Sequence, residues 1–331
     1  MLDELLITAR ANPRIDPVLD IWGWQISVYL FLGGLTAGIM FFSALMLLLR
    51  KDREAPFAVH RLALLGPIAL SLGMTALFLD LEFKSHVYRF YMAFRPTSPM
   101  SYGAWILLLI YPVSVLQILS TVRVGFPSAA RWMDALTPAR RLVDLTERHR
   151  RSIAASAIPL AVALGIYTGI LLSAFAARPF WNVGLLGPLF LVSGLSTGAA
   201  ITALLTRERT EMRLFTLIDI GLIVVEIALI GLLLISLATG AKLQLLALRH
   251  LFTGGYMVAF WGIFVGIGLL VPLLLDLLEI RGWLHRLALL APALVLFGGY
   301  VLRVIVVDLG QETRWTHYDS EYNTQLLERL R

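Results

Sequence analysis

Eight apolar blocks, each long enough to cross a bilayer as a helix, follow one another along this chain. Nearly all of its charge falls in the gaps between them. A spanning helix takes about 20 mostly apolar residues, and a soluble domain has no use for such blocks in series. They lie at 22–49, 61–81, 101–121, 153–174, 184–206, 214–239, 254–278 and 283–307. Composition agrees: 58% of the 331 residues are hydrophobic and 15% charged, against about 25% charged in soluble chains. The fold class predicted is an all-α polytopic membrane protein with eight transmembrane helices.

Several chemistries drop out at once. The chain has no cysteine, which removes a thiolate-held iron–sulfur cluster, a covalently attached haem and any disulfide. A membrane-embedded b-type haem needs axial ligands facing one another inside the bundle. His60, His86, His149, His250, His285 and His317 all fall at block ends or in gaps, so no haem is expected. The net charge of +6 would suit nucleic acid, but the arginines stand in short gaps beside apolar blocks. That placement fits membrane topology and anionic lipid, and no nucleic-acid partner is expected. The first residues, MLDELLITARANPRIDPVLDI, are acidic where a signal peptide would be basic, so no cleaved signal is expected.

The basic residues also orient the spans. Arg50, Lys51 and Arg53 follow the first block, seven arginines lie within 123–151, Arg207, Arg209 and Arg213 follow the fifth, and Arg281 and Arg286 follow the seventh. The opposite gaps hold fewer. By the positive-inside rule these gaps are cytoplasmic, which puts both termini on the periplasmic side of a bacterial cytoplasmic membrane. The predicted organisation is an outer arm at 1–21, a first four-helix bundle at 22–174, a second at 184–308 and a polar tail at 309–331. A short repeat supports two related bundles: Gly34-Leu35-Thr36-Ala37-Gly38 returns as Gly194-Leu195-Ser196-Thr197-Gly198. Small residues at i and i+4 let membrane helices approach closely. Four spans per half make the repeats parallel.

Polar groups inside or beside a membrane are costly and are functional candidates by default. In the first span Gln25, Tyr29, Gly33 and Thr36 share a helical face, with Trp22 and Trp24 just before them. Asp80, Glu82 and His86 cluster after the second span. Ser98 followed by Pro99 reads as an N-cap with proline at the first helical position of the third, close to Tyr102. Tyr167 lies near the outer end of the fourth. All of these gather at the outer face of one bundle; an aromatic belt and charged helix ends would produce a similar pattern. In the second half Glu226, with Asp219 two turns away, reads as a proton path or as the buried partner of an arginine such as Arg303. The gap at 123–151, with Trp132, Leu136 and Leu142 among its arginines, reads as a cytoplasmic interfacial helix on the lipid bilayer.

The runs WGWQISVYLFLGGLTAG (22–38), DLEFKSHVYRFYMAFRPTSPMSYGAWILL (80–108) and YTGILLSAFAARPFWNVGLLGPLFLVSGLSTG (167–198) resemble the NrfD/PsrC family, the membrane subunits of polysulfide-reductase-type respiratory oxidoreductases. The resemblance implies two four-helix bundles and a quinone site in the first. It also implies electron exchange between menaquinone or ubiquinone and a cysteine-rich iron–sulfur partner, with a molybdopterin or multihaem catalytic subunit beyond it. No prosthetic group is implied in the chain itself. Carried over by position, Gln25 falls at a quinone-contacting site with Tyr167 opposite, and the Asp80 segment and the 98–100 turn supply walls or proton groups. Trp22, Trp24, Tyr29, Ser98 and Tyr102 complete the expected quinone contacts, and Asp80, Glu82 and His86 are the expected proton donors. Some members carry a histidine in the first span; none is present here. The alternatives are a proton or ion translocator using Glu226 and Asp219, a structural anchor, or a secondary transporter with helices broken near Gly33-Gly34 or Gly254-Gly255.

Overall fold

The computed structural model describes residues 22–92, 94–281 and 289–313. Eight helices in it are long and apolar enough to cross a membrane: α1 (Trp24–Leu48), α2 (Leu62–Asp80), α3 (Pro99–Leu119), α4 (Arg150–Ser173), α5 (Leu186–Leu205), α6 (Arg209–Ala238), α7 (Val258–Ile280) and α8 (Leu290–Glu312). These helices are apolar on every face, so lipid can take the place of a partner wherever none packs against them. Leu72 and Leu79 of α2 and Val224 and Ile235 of α6 are exposed in this way. Helix α1 runs unbroken through Gly33-Gly34. In α7 the stretch Val258–Leu270 is wound as a π-helix and returns to α-winding at Val271, next to Pro272, which has no N–H to make the next rung.

Two ends differ from the sequence-based boundaries, and polar side chains account for both. Helix α6 starts at Arg209, not 214, because Glu211 is wholly buried and fully used. Its carboxylate accepts from the Ala58 N–H (2.7 Å), the Phe57 N–H (3.1 Å) and the Thr206 hydroxyl (2.7 Å). The acid thus caps the short helix Pro56–His60 across the gap between α1 and α2. Helix α8 runs on to Glu312, past 307, because Gln311 is paired with the backbone of Trp22. The arm at 1–21, the Trp283 end of the eighth block and most of the tail lie outside the described residues.

Glu211→Ala leaves two buried N–H groups without an acceptor. A loss of about 2–4 kcal/mol is expected, one charge-assisted bond and more. It would be read as a fall in detergent-solubilised melting temperature, with Glu211→Gln intermediate.

Helix α1 is the hub. It packs on α2 and α4 on one side and on α5 and α8 on the other, α3 joins through α4, α6 packs on α5, and α7 packs on α8. Helix α4 also packs on α5, and α1 meets α5 along a close seam. The repeated glycines form that seam. A Cβ built on Gly38 would stand 2.8 Å from Gly198 Cα and 2.2 Å from the Gly194 carbonyl oxygen, and one on Gly198 would stand 2.5 Å from Gly38 Cα. Gly34 likewise meets Gly194. Each glycine faces its own repeat equivalent in register, so α1 and α5 run parallel at a distance that only glycine permits.

Candidate functional site

At the end of α1–α4 nearest Trp22, a cavity of about 540 Å³ opens between the first four spans. Its walls are apolar, from Ile26, Leu30, Leu77, Leu107 and Leu172, and a few polar groups reach it: Tyr29, Thr75, Asp80, Tyr91 and Tyr167. A more open hollow of about 460 Å³ adjoins it, sharing Leu81, Phe90 and Met100. That second space is lined by Glu82, His86, Arg89, Arg95, Ser98 and Ser101. An apolar chamber with a few convergent polar groups and a charged vestibule is the usual anatomy of a small-molecule site.

Three of the chamber's polar groups are tyrosines held by packing. Tyr29 is 4% and Tyr167 8% exposed, and they interact through their hydroxyls across the gap between α1 and α4. The Tyr167 ring lies over Gly103 of α3; a Cβ there would sit 1.9 Å from the ring. Tyr91 stands near both, on the short helix Arg89–Met92 of the α2–α3 connection. Burial pushes its hydroxyl up, and the neighbouring Tyr111 adds to the shift, so it stays protonated and able to donate at neutral pH.

One wall is set from the other half of the molecule. Trp22 stacks on Trp181 at 5.0 Å and meets Phe175 edge-on at 5.6 Å. Gln311 of α8 accepts from the Trp22 N–H (3.0 Å) and donates to the Trp22 carbonyl (2.9 Å). Arg178 donates to the Gln311 carbonyl at 2.6 Å, and the Trp181 indole donates to that of Val306 at 2.7 Å.

Trp22, Tyr29, Asp80 and Tyr167 therefore line the chamber, and Glu82, His86 and Ser98 line the vestibule. Three candidates lie on neither. Trp24 is 59% exposed. Gln25, in the first turn of α1, folds its side-chain oxygen back over Gly23. Tyr102 turns outward and donates to the Pro96 carbonyl. Pro99 opens α3 as expected, but Ser98 makes no side-chain capping bond. Thr75 and Tyr91 are polar wall groups that sequence reasoning passed over; the only signal for Tyr91 was an aromatic-rich gap.

A separate polar string crosses the second half. Asp219 accepts from Ser196 at 2.6 Å and lies near Asp276. Ser193 joins Glu226 to Arg303, whose guanidinium also donates to the Gly299 (3.0 Å) and Phe190 (3.1 Å) carbonyls and sits 4.9 Å over the Phe190 ring. Arg303 reaches Gly34 at the seam, and one Glu226 carboxylate oxygen has no hydrogen-bond partner.

The family described as "Polysulphide reductase, NrfD" matches the chain over residues 13–314. The chain belongs to the NrfD family. Among its relatives, "Protein NrfD" of Escherichia coli is 32% identical, covering 88% of this chain and 96% of that protein. A polysulfide reductase component of Wolinella succinogenes is 27% identical over 88% of this chain and 94% of its own length. A selenate reductase component of Mesobacillus selenatarsenatis is 24% identical, over 92% and 78%. The NrfD match spans all eight helices, so chamber, vestibule and polar string all lie within the family region.

Proposed function

We propose that this NrfD-family chain is the quinone-reactive membrane subunit of a multisubunit oxidoreductase. It would exchange electrons between menaquinone or ubiquinone and an iron–sulfur partner joined to a molybdopterin or multihaem catalytic subunit. The observation that carries this is the chamber: about 540 Å³, apolar, with two facing tyrosine hydroxyls and a carboxylate at its rim. Such residues fit a quinone, whose ring and tail need apolar walls and whose carbonyl oxygens need donors. Two of the relatives bear the names of reductase components.

The quinone supplies the two-electron chemistry. The chain's residues bind, orient and pass protons. Tyr167 holds one carbonyl oxygen by hydroxyl donation, oriented by the bond it accepts from Tyr29, and Tyr91 is placed to meet the ring from the α2–α3 connection. Asp80 at the chamber wall, followed by Glu82 and His86 in the vestibule, forms a short chain of proton carriers toward the aqueous face. Trp22 closes the mouth.

Fluorescence-quench titration of a quinone-analogue inhibitor against purified protein tests this reading. Saturable binding is expected, weakened about tenfold by Tyr167→Phe or Tyr29→Phe, the worth of one hydrogen bond, and little changed by Gln25→Ala. Absence of saturable binding in the wild type would overturn it.

The buried string favours a second role, proton translocation coupled to quinone turnover. Glu226, joined to Arg303 through Ser193 and left with one carboxylate oxygen without a hydrogen-bond partner, is the specific observation. Proton uptake lost in Glu226→Gln with quinone turnover intact would support it; uptake unchanged would remove it.

A further inference from the structure

The connection between α3 and α4 folds into three short helices, Val122–Gly125, Pro127–Asp134 and Thr137–Arg148, the last two forming a hairpin. Its inner side is fixed. Leu119, Val122, Ala130 and Val143 form a small core of their own at the end of α3, and Gly125 lies directly against the His60 carbonyl. The outer side is unpaired and apolar: Trp132 is 79% exposed, Leu136 55% and Leu145 55%. On Thr137–Arg148, Arg141, Leu145 and Arg148 fall at i, i+4 and i+7, so the exposed leucine is flanked by arginines along one face.

The charge is arranged unevenly. Stretch 123–151 contains three acidic residues, Asp134, Asp144 and Glu147, and one guanidinium takes all of them. Arg123 contacts Asp134, Asp144 and Glu147 at 2.7 Å each. Its hydrogen bonds hold the Asp134 carboxyl below the usual range, so Asp134 stays ionised. Arg131, Arg140, Arg141, Arg148, Arg150 and Arg151 remain exposed, with every acid of the segment already engaged.

We propose that this helical hairpin is a docking surface for an anionic phospholipid leaflet, with Trp132 and Leu145 in the acyl boundary and the free arginines among the phosphates. Arg123 is the internal counter-ion that withdraws the segment's own acids from competition for those arginines. Charge complementarity selects this occupant. Six arginines on one short segment suit a sheet of phosphates, and exposed tryptophan and leucine beside them suit the interface just beneath it. A polybasic surface alone would bind peripherally, and an apolar face alone would not discriminate lipid charge.

The chain has no native cysteine, so Trp132→Cys or Leu145→Cys in the full-length protein carries a single nitroxide. Its accessibility to oxygen and to a water-soluble nickel chelate is compared in nanodiscs of pure phosphatidylcholine and of phosphatidylcholine with phosphatidylglycerol. Oxygen-favoured accessibility is expected in the anionic discs and a clear shift toward the chelate in the neutral ones. Adding Arg141→Glu and Arg148→Glu, which lie on the surface away from the α3 core, should weaken the dependence on phosphatidylglycerol at least fivefold per site. Equal chelate accessibility in both discs overturns the proposal. So does equal immersion in both, or a label hidden from both reagents, which would mean a protein covers the hairpin.

Discussion

Gly103→Leu is expected to lower quinone-analogue affinity about a hundredfold while leaving the protein folded. Losing one donor bond and about 50 Å² of apolar contact, roughly tenfold each, reaches that order. Gly103 is the floor under Tyr167: a Cβ would lie 1.9 Å from the ring carbon that carries the hydroxyl and 2.1 Å from the hydroxyl itself. The ring is 8% exposed, and displacing it from Gly103 takes its hydroxyl away from Tyr29. A larger side chain on α3 therefore breaks the facing pair of hydroxyls and fills part of the chamber. The effect should exceed that of Tyr167→Phe, which removes one hydroxyl and keeps the ring. Quench titration of Gly103→Ala, Gly103→Leu and Tyr167→Phe, each checked for a monodisperse elution profile, reads the order. Wild-type affinity in Gly103→Leu would mean the ligand lies elsewhere.

Gly38→Leu is expected to prevent recovery of folded protein, and Gly38→Ala to lower its melting temperature sharply. The atoms a Cβ would meet here are backbone, the Gly198 Cα at 2.8 Å and the Gly194 carbonyl oxygen at 2.2 Å, so nothing short of separating α1 from α5 makes room. Overpacking commonly costs about 1–3 kcal/mol, and a rigid helix seam lies at the upper end or above. Gly33→Ala is the control: it is on the same helix, five residues away, and nothing lies within 4 Å of its built Cβ. Both variants should be compared by fluorescence-detected size exclusion. Equal loss in Gly33→Ala and Gly38→Ala would show that helix propensity, and not the seam, sets the cost.

The number, order and rough bounds of the spans were legible in the sequence because a membrane helix is a compositional object: length and lack of charge define it. The repeated glycine pattern was legible as a close-approach motif, but that its two copies pack on each other came only with the structure. Span ends were less so. The extended ends of α6 and α8 depend on Glu211 finding the Phe57 and Ala58 N–H groups and on Gln311 finding Trp22, partners 153 and more residues away in sequence. No local pattern announces such a pair. The same limit applies to the chamber. Helical periodicity put Gln25 on the face of Tyr29, but α1 begins only at Trp24, and the glutamine in that first turn folds back over Gly23. Tyr91 comes from a connection whose path no periodicity describes. Its approach to Tyr29 and Tyr167 follows from how the α2–α3 segment closes over the bundle.

Photoaffinity labelling with an azido-quinone, followed by peptide mapping, bears most directly on the central claim. Label is expected on the chamber wall, in the segments around Met74–Asp80, Tyr91–Met100 and Tyr167–Leu172, and is expected to be competed away by unmodified quinone. Competed label confined to α5–α8, with the chamber segments clean, would contradict a quinone site among the first four spans.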